Sequence, residues 1–268
     1  GLYRFNNSLK LDFQLFSSKT VEPNDTTISL SLNGHIFGKD SITSDFDGDI
    51  FSGHSLYFSL EGWKKNRALT LLYAERSPTF RVDNGYIDFN DRRHLVVTTG
   101  TMLYPNNNTF ETLSFWFGTG RVFSYDWTQL TDWIYLSHSG QMKGQFGYGI
   151  TLFAEDEFYK NILFEDNYGL EISFEKSLSK SISFEIKPKF GTEIIRVDAP
   201  YQARNTGIAL GIELKPSDEF KLNFRMDQSK SIRFENDEVV YSDMIARARF
   251  EYQAATFLNF RLVAQYHR

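Results

Sequence analysis

The stretch "NYGLEISFEKSLSKSISFEIKPKF", residues 167–190, decides the fold. Tyr168, Leu170, Ile172 and Phe174 stand at every second position, with Glu171 and Glu175 between them. After "SLSKS" (177–181) the alternation resumes, Ile182, Phe184, Ile186 and Phe190 opposing Glu185, Lys187 and Lys189. A two-residue period belongs to β-strands, so the stretch reads as a hairpin with one apolar and one charged face. A soluble sandwich and a membrane barrel both alternate in this way and differ in what the apolar face meets.

The same period recurs at 9–17, 28–37, 56–63, 68–77, 94–104, 113–121, 133–139, 146–155, 168–178, 182–195, 207–215, 220–232, 244–255 and 258–266, which predicts about fourteen strands. Many of these runs are much longer than the roughly 5–6 residues usual in globular domains. Ten to twelve residues at about 3.3 Å each, tilted near 40°, cross about 25–30 Å, the height of a barrel's lipid-facing band. Short connections at 63–67, 105–109, 139–144, 177–181, 215–219 and 253–257 alternate with longer ones at 38–53, 78–93, 122–132, 156–167, 196–206 and 233–243. Outer-membrane barrels segregate short turns and long loops to opposite rims in this manner. Pro188 lacks a ladder donor, so a bulge or local break is expected there.

Composition narrows the function classes. Charged residues make up 24 % of the chain and hydrophobic ones 41 %, and mean hydropathy is -0.38, so no segment reaches the roughly 20 apolar residues of a membrane helix. Aromatics reach 16 % against 6 prolines, which suits many strands. Without cysteine there is no thiolate metal site, disulfide or catalytic thiol. A net charge of -5 without a basic stripe sets nucleic acid aside.

The loop "SPTFRVDNGYI" (77–87), the glycine-aromatic run "FWFGTGRVFSYD" (115–126) and the late "RARFEYQAATFLNFRLVAQY" (247–266) resemble the barrel region of the bacterial domain-of-unknown-function family fifty-nine sixteen. Ser77, Pro78, Phe80, Arg81, Gly85 and Tyr86 match its loop motif, and Phe257, Leu258, Arg261, Leu262, Gln265 and Tyr266 its late strand. Thr79 departs from the acid expected at that place. The resemblance implies an outer-membrane barrel preceded by a carbohydrate-binding module similar to family nine, and it carries no catalytic residues. It also implies that this chain is a piece of a longer protein, with "GLYRF" (1–5) the remnant of an earlier strand.

The expectation is therefore one all-β domain over 1–268, an antiparallel transmembrane up-and-down β-barrel of a Gram-negative outer membrane, with about fourteen strands of sixteen or more in the intact protein. Its apolar faces would meet lipid, while Glu171, Glu185, Lys187, Arg225, Arg247, Arg249, Glu251 and Arg261 would line the lumen and set its field. The function expected is a pore or a surface-display or anchoring barrel linked to carbohydrate capture or passage, with protein partners conceivable in a larger assembly. An outer-membrane barrel enzyme and a soluble sandwich-type binding protein are the alternatives.

Trp116, Tyr125, Trp127, Trp133 and Tyr135 read as an interfacial aromatic girdle, with a sugar-stacking platform as the rival. Asp45, Asp47 and Asp49 in "DFDGDI" offer oxygens to calcium without the spacing of an EF-hand, so a solvated loop is favoured and no metal or other cofactor is expected. The histidines His35, His54, His94, His138 and His267 show no zinc-site spacing. Catalysis at Ser137, His138 and Ser139 would need an outward serine and histidine at matching depth on adjacent strands. Carboxylate pairs such as Glu171 with Glu185 and Glu155 with Glu157 would need a defined separation beside a sugar cleft to cleave glycosides.

Overall fold

The computed structural model describes the chain except residues 26, 28, 30–35, 38–41, 44 and 83–88. Alternating β-branched and aromatic residues build long strands: β1 (Leu2–Asn6), β2 (Leu9–Val21), β3 (Ile36–Phe37), β4 (Ile42–Thr43), β5 (Ile50–Lys64), β6 (Arg67–Arg76), β7 (Arg92–Leu103) and β8 (Phe110–Ser124). They continue as β9 (Gln129–Met142), β10 (Phe146–Tyr159), β11 (Ile162–Ser179), β12 (Ile182–Ile195), β13 (Tyr201–Leu214), β14 (Phe220–Arg233), β15 (Val239–Ala255) and β16 (Leu258–His267). Fourteen of them form one antiparallel sheet whose order is the chain order, with β3 and β4 set apart as a two-stranded insertion between β2 and β5. The order runs from β1 to β16, and no described ladder joins those two ends.

By contact the chain divides into two compact units, 1–99 with 118–133 and 100–117 with 134–268. In the first, β2 pairs β5 with Lys10 opposite Glu61 and Asp12 opposite Ser59 on one face, and with Leu11 opposite Leu60 and Phe13 opposite Phe58 on the other. In the second, β10 to β16 pair hairpin by hairpin. Leu210 faces Met226 and Phe224 faces Ala248 on the apolar side, while Gly211 faces Arg225 and Arg225 faces Arg247 on the charged side.

Burial is inverted relative to a sandwich. The buried apolar residues among those described are Ala68, Phe80, Phe164 and Ala203, and the largest side chains buried completely are only Ser59 and Ser231. Phe13, Phe58 and Leu69 in the first unit, and Leu136, Leu152, Phe174, Phe190 and Ile212 in the second, are exposed. A sandwich would press such faces together about 10 Å apart. Among the described residues of each unit, no other segment of that unit covers the apolar face.

Several sequence expectations are corrected. The strand expected at 28–37 lies mostly outside the described residues; Ile36–Phe37 form the short β3, and the long sheet passes from β2 directly to β5. His35, Gly85 and Tyr86, and parts of the loops at 38–53 and 78–93, lie outside the described residues. The long connections expected at 122–132 and 156–167 shrink to 125–128 and 160–161. A register shift between Glu155 and Glu157 breaks the two-residue period, which makes strand look like loop. The turn at 160–161 is tight, both Lys160 (φ 48°) and Asn161 (φ 63°) being left-handed as a type I′ hairpin requires. Long connections, at 22–49 and 77–91, therefore occur in the first unit; in the second both ends of the strands carry short turns. At Pro188 the β11–β12 ladder skips the Ile172 and Ser173 pairings and resumes in register, and β12–β13 is continuous, so there is a break without a bulge. Residues 1–5 do contribute a strand, β1, hydrogen-bonded to the start of β2.

Candidate functional site

The second unit gathers the charged residues on one concave face. Side chains from β9 through β15, among them Ser137, Thr151, Glu171, Lys187, Asp227 and Asp243, line a single cavity of about 780 Å³. Six strand steps span about 29 Å in a flat sheet, so a shared cavity requires the polar face to curl inward. Hydrogen bonds across the hollow agree: Tyr241 Oη of β15 donates to Glu193 Oε2 of β12 (2.9 Å) and accepts from Asn205 Nδ2 of β13 (2.9 Å).

Register orders these residues in rows. One row runs Gly147, Glu175, Glu185, Gly211, Arg225, Arg247, Gln265. Neighbouring rows place Glu171 opposite Lys189, Asn223 opposite Arg249, and Lys221, Glu251 and Arg261 in line. Glu171, Glu185, Lys187, Arg225, Arg247, Arg249, Glu251 and Arg261 thus share one face. Glu171 and Glu185 are not cross-strand neighbours, since Glu185 faces Glu175. Most charges are matched along or across strands: Lys187 with Glu185, Lys189 with Glu171 (3.6 Å), Arg225 Nε and Nη2 with Asp227 (2.9 and 3.0 Å), and Arg249 Nε with Glu251 (2.9 Å). These pairs are substantially exposed, where an ion pair contributes about 0–1 kcal/mol, so they set a field more than they hold the sheet.

The aromatic residues separate into two groups. Trp116 lies over Gly100 and Trp133 over Gly120, each ring occupying the space a Cβ would take. Trp133 and Tyr135 alternate along β9 with Ile134 and Leu136, on the side of Ser137 and Ser139. Ser114, in step with Trp116 along β8, hydrogen-bonds Ser139. These three aromatics therefore belong to the polar face, where two of them fill gaps above strand glycines. Tyr125 and Trp127 behave differently. They lie in the turn 125–128, where Trp127 takes φ 71°, and the Arg93 guanidinium is 4.2 Å from each ring centroid. Arg93 Nε donates to Glu75 (3.2 Å), Tyr73 hydrogen-bonds the same carboxylate, and His54 Nε2 lies 3.0 Å from Tyr125 Oη. Sequence spacing gave no signal for this cluster, because its members come from three strands and a turn.

His138 faces away from its serine neighbours. Its ring stacks on Phe115 (4.3 Å between centroids), Nδ1 meets the Ser114 carbonyl (3.0 Å) and Nε2 the Tyr148 hydroxyl (2.8 Å). Ser139 and Ser137 bond Ser114 and Thr151 on the opposite face. The catalytic arrangement considered for this triplet is not formed. Asp47 accepts from Thr43 (3.2 Å), and among the described residues no three His, Asp or Glu side chains converge as a metal site. Glu22, next to this acidic loop, pairs with Arg81 (3.2 Å); burial pushes its carboxyl up, Arg81 opposes that, and Asp47 and Asp49 add to it.

Residues 77–81 fold onto the charged face of the first unit. Phe80 is buried with its backbone against Gly53, His54 N donates to Ser77 Oγ (2.9 Å), Thr79 Oγ1 donates to the Ser52 carbonyl (2.7 Å), and Arg81 N donates to Ser18 Oγ (3.1 Å). Glycine at 53 is required, since a side chain would strike the Phe80 backbone.

Compared with protein-family models, curated proteins and solved structures, the chain matches none of them.

Proposed function

We propose that this sheet is the wall of a transmembrane β-barrel of a bacterial outer membrane, its apolar face toward lipid and its concave charged face toward a water-filled lumen. The observation that carries the reading is the exposure of large apolar side chains along strands of 10–18 residues, with no packed layer over them among the described residues. Hydrocarbon would solvate that face, and strand length matches its thickness. Barrel closure gives the free edges of β1 and β16 strand partners, because lipid cannot satisfy their backbone groups.

On this reading the protein conducts small polar solutes or anchors and displays an attached module. The resemblance to family fifty-nine sixteen supplies the association with carbohydrate. Fractionation of the native protein followed by detergent gel electrophoresis with and without boiling tests the barrel. Outer-membrane recovery with a heat-dependent mobility shift is expected. Recovery in the aqueous fraction without detergent refutes it. Liposome swelling then separates a pore from an anchor.

A further inference from the structure

The charges that line the cavity of about 780 Å³ in the second unit do not balance. They are Glu171, Glu193, Asp227 and Asp243 against Lys187 and Lys189. Lys189 pairs with Glu171, Lys187 with Glu185 and Asp227 with Arg225. Glu193 and Asp243 are left over, and neither forms an ion pair among the described residues. The end of the cavity that these two acids line therefore carries two negative charges that no side chain offsets.

Register and hydrogen bonds bring the two acids to one corner. Tyr241 and Asp243 stand two residues apart on β15 and so share a face. Tyr241 Oη donates to Glu193 Oε2 (2.9 Å), and Asp243 is directly opposite Ser229 of β14. Asn205 Nδ2 ties these groups together, donating to Tyr241 Oη (2.9 Å) and to Ser229 Oγ (3.3 Å). The other Glu193 oxygen, Oε1, has no hydrogen-bond partner. Gly207 follows Ser229 in the row that starts at Asp243 and leaves the floor bare as far as Lys189. Towards β9–β11 the lining turns to hydroxyls. Ser137 and Thr151 share one hydrogen bond (2.9 Å), and Ser139 and Ser114 share another (2.8 Å). A hydroxyl donates once and accepts twice, so each bonded pair keeps a donor and several acceptor sites for a solute.

We propose that this cavity is a binding site for hydroxylated primary amines, the amino sugar class, with the ammonium in the corner of Glu193, Tyr241 and Asp243. An ammonium brings one positive charge and three N–H donors to a place rich in acceptors and short of cations. No three acidic side chains converge here as a metal would require. The volume falls in the range of small-molecule sites, so an organic body fits beside the charged group and meets the hydroxyl lining. A neutral sugar would meet the hydroxyls and leave the two carboxylates uncompensated. This deepens the lumen reading and rests on it for access of aqueous solutes to the concave face.

The test uses the full chain, folded in detergent micelles, with heat-modifiable migration recorded on the same preparation. Glucosamine, N-acetylglucosamine, glucose and cyclohexylamine are titrated by calorimetry at pH 7. Glucosamine is expected to bind about tenfold more tightly than glucose or N-acetylglucosamine, the worth of one charge-assisted hydrogen bond. Cyclohexylamine, which has the charge and a ring without hydroxyls, should bind several times more weakly than glucosamine. Asp243→Asn should weaken glucosamine severalfold, leave glucose unchanged and keep the mobility shift, since that side chain is exposed. Equal binding of glucosamine and the two neutral sugars, no binding of glucosamine at about 10 mM, or unchanged glucosamine affinity in the Asp243→Asn variant would overturn the site. Cyclohexylamine binding as tightly as glucosamine would overturn the hydroxylated class. Loss of the heat-dependent shift in the wild-type chain would instead count against the barrel, so the two failures are distinguishable.

Discussion

Tyr148→Phe probes what the apolar face meets. A carbonyl oxygen can only accept, so Nδ1 of His138 carries the proton given to Ser114, and Nε2 accepts from the Tyr148 hydroxyl. The phenylalanine ring still covers Gly140, where a Cβ would lie 2.5 Å from Tyr148 Cε1, so packing is preserved and one hydroxyl is lost. If hydrocarbon bathes this face, His138 Nε2 is left without a donor, and the cost is about 1–3 kcal/mol. If water bathes it, a water replaces the hydroxyl and the cost falls to about zero. Equilibrium unfolding in urea from lipid vesicles, followed by tryptophan fluorescence, measures the difference. A double-mutant cycle with His138→Ala should assign about 1 kcal/mol or more to the pair. A Tyr148→Phe variant within about 0.3 kcal/mol of wild type would refute a dry environment at this site.

Other expectations follow from local geometry. Trp127 has a left-handed backbone, so Trp127→Gly should be more stable than Trp127→Ala by about 1–2 kcal/mol in the same unfolding assay, and the reverse order would exclude backbone strain there. Gly169→Ala would drive a methyl into the Phe153 ring and should cost about 1–3 kcal/mol, whereas a neutral result would show that the ring swings away freely. Because the Glu22 carboxyl is raised in the folded protein, the folded state binds its proton more tightly than the unfolded chain. The contribution of Glu22 to stability is thus most favourable below about pH 4.5 and declines as pH rises through the raised value. Hydrogen exchange at the Arg81 and Phe80 amides should accordingly report a smaller local opening free energy at pH 7 than at pH 4; an equal or larger one at pH 7 contradicts the sign.

Strand existence and facing were legible wherever the two-residue period ran unbroken. The hairpin at 167–190 is the clearest case, with its apolar and charged sides assigned residue by residue. Legibility failed where physics removes the period. A bulge at Glu155 and Glu157 hid the ends of β10 and β11, and the first six residues of β11 were read as loop. That Trp116 and Trp133 each cover a glycine was not legible, because the partner glycine is on the neighbouring strand. The charged residues of the second unit were found individually. The row that joins Glu175 to Arg247 depends on register across five strands, which no local pattern encodes.

The neighbour-to-neighbour order of the sheet makes the hairpin its unit of exchange. Each strand finds its partner in the strand next to it in the chain, apart from the β3–β4 insertion, so contacts are local and the sheet can lengthen or shorten at its turns. Excising two consecutive strands, β12 and β13 for instance, would leave the rest running in the same directions with the same faces outward. Excising one would reverse every strand after it and deliver the short turns of one end to the other. Chains related to this one by gain or loss of segments should therefore differ by even numbers of strands, with the breakpoints in turns such as 180–181 and 215–219.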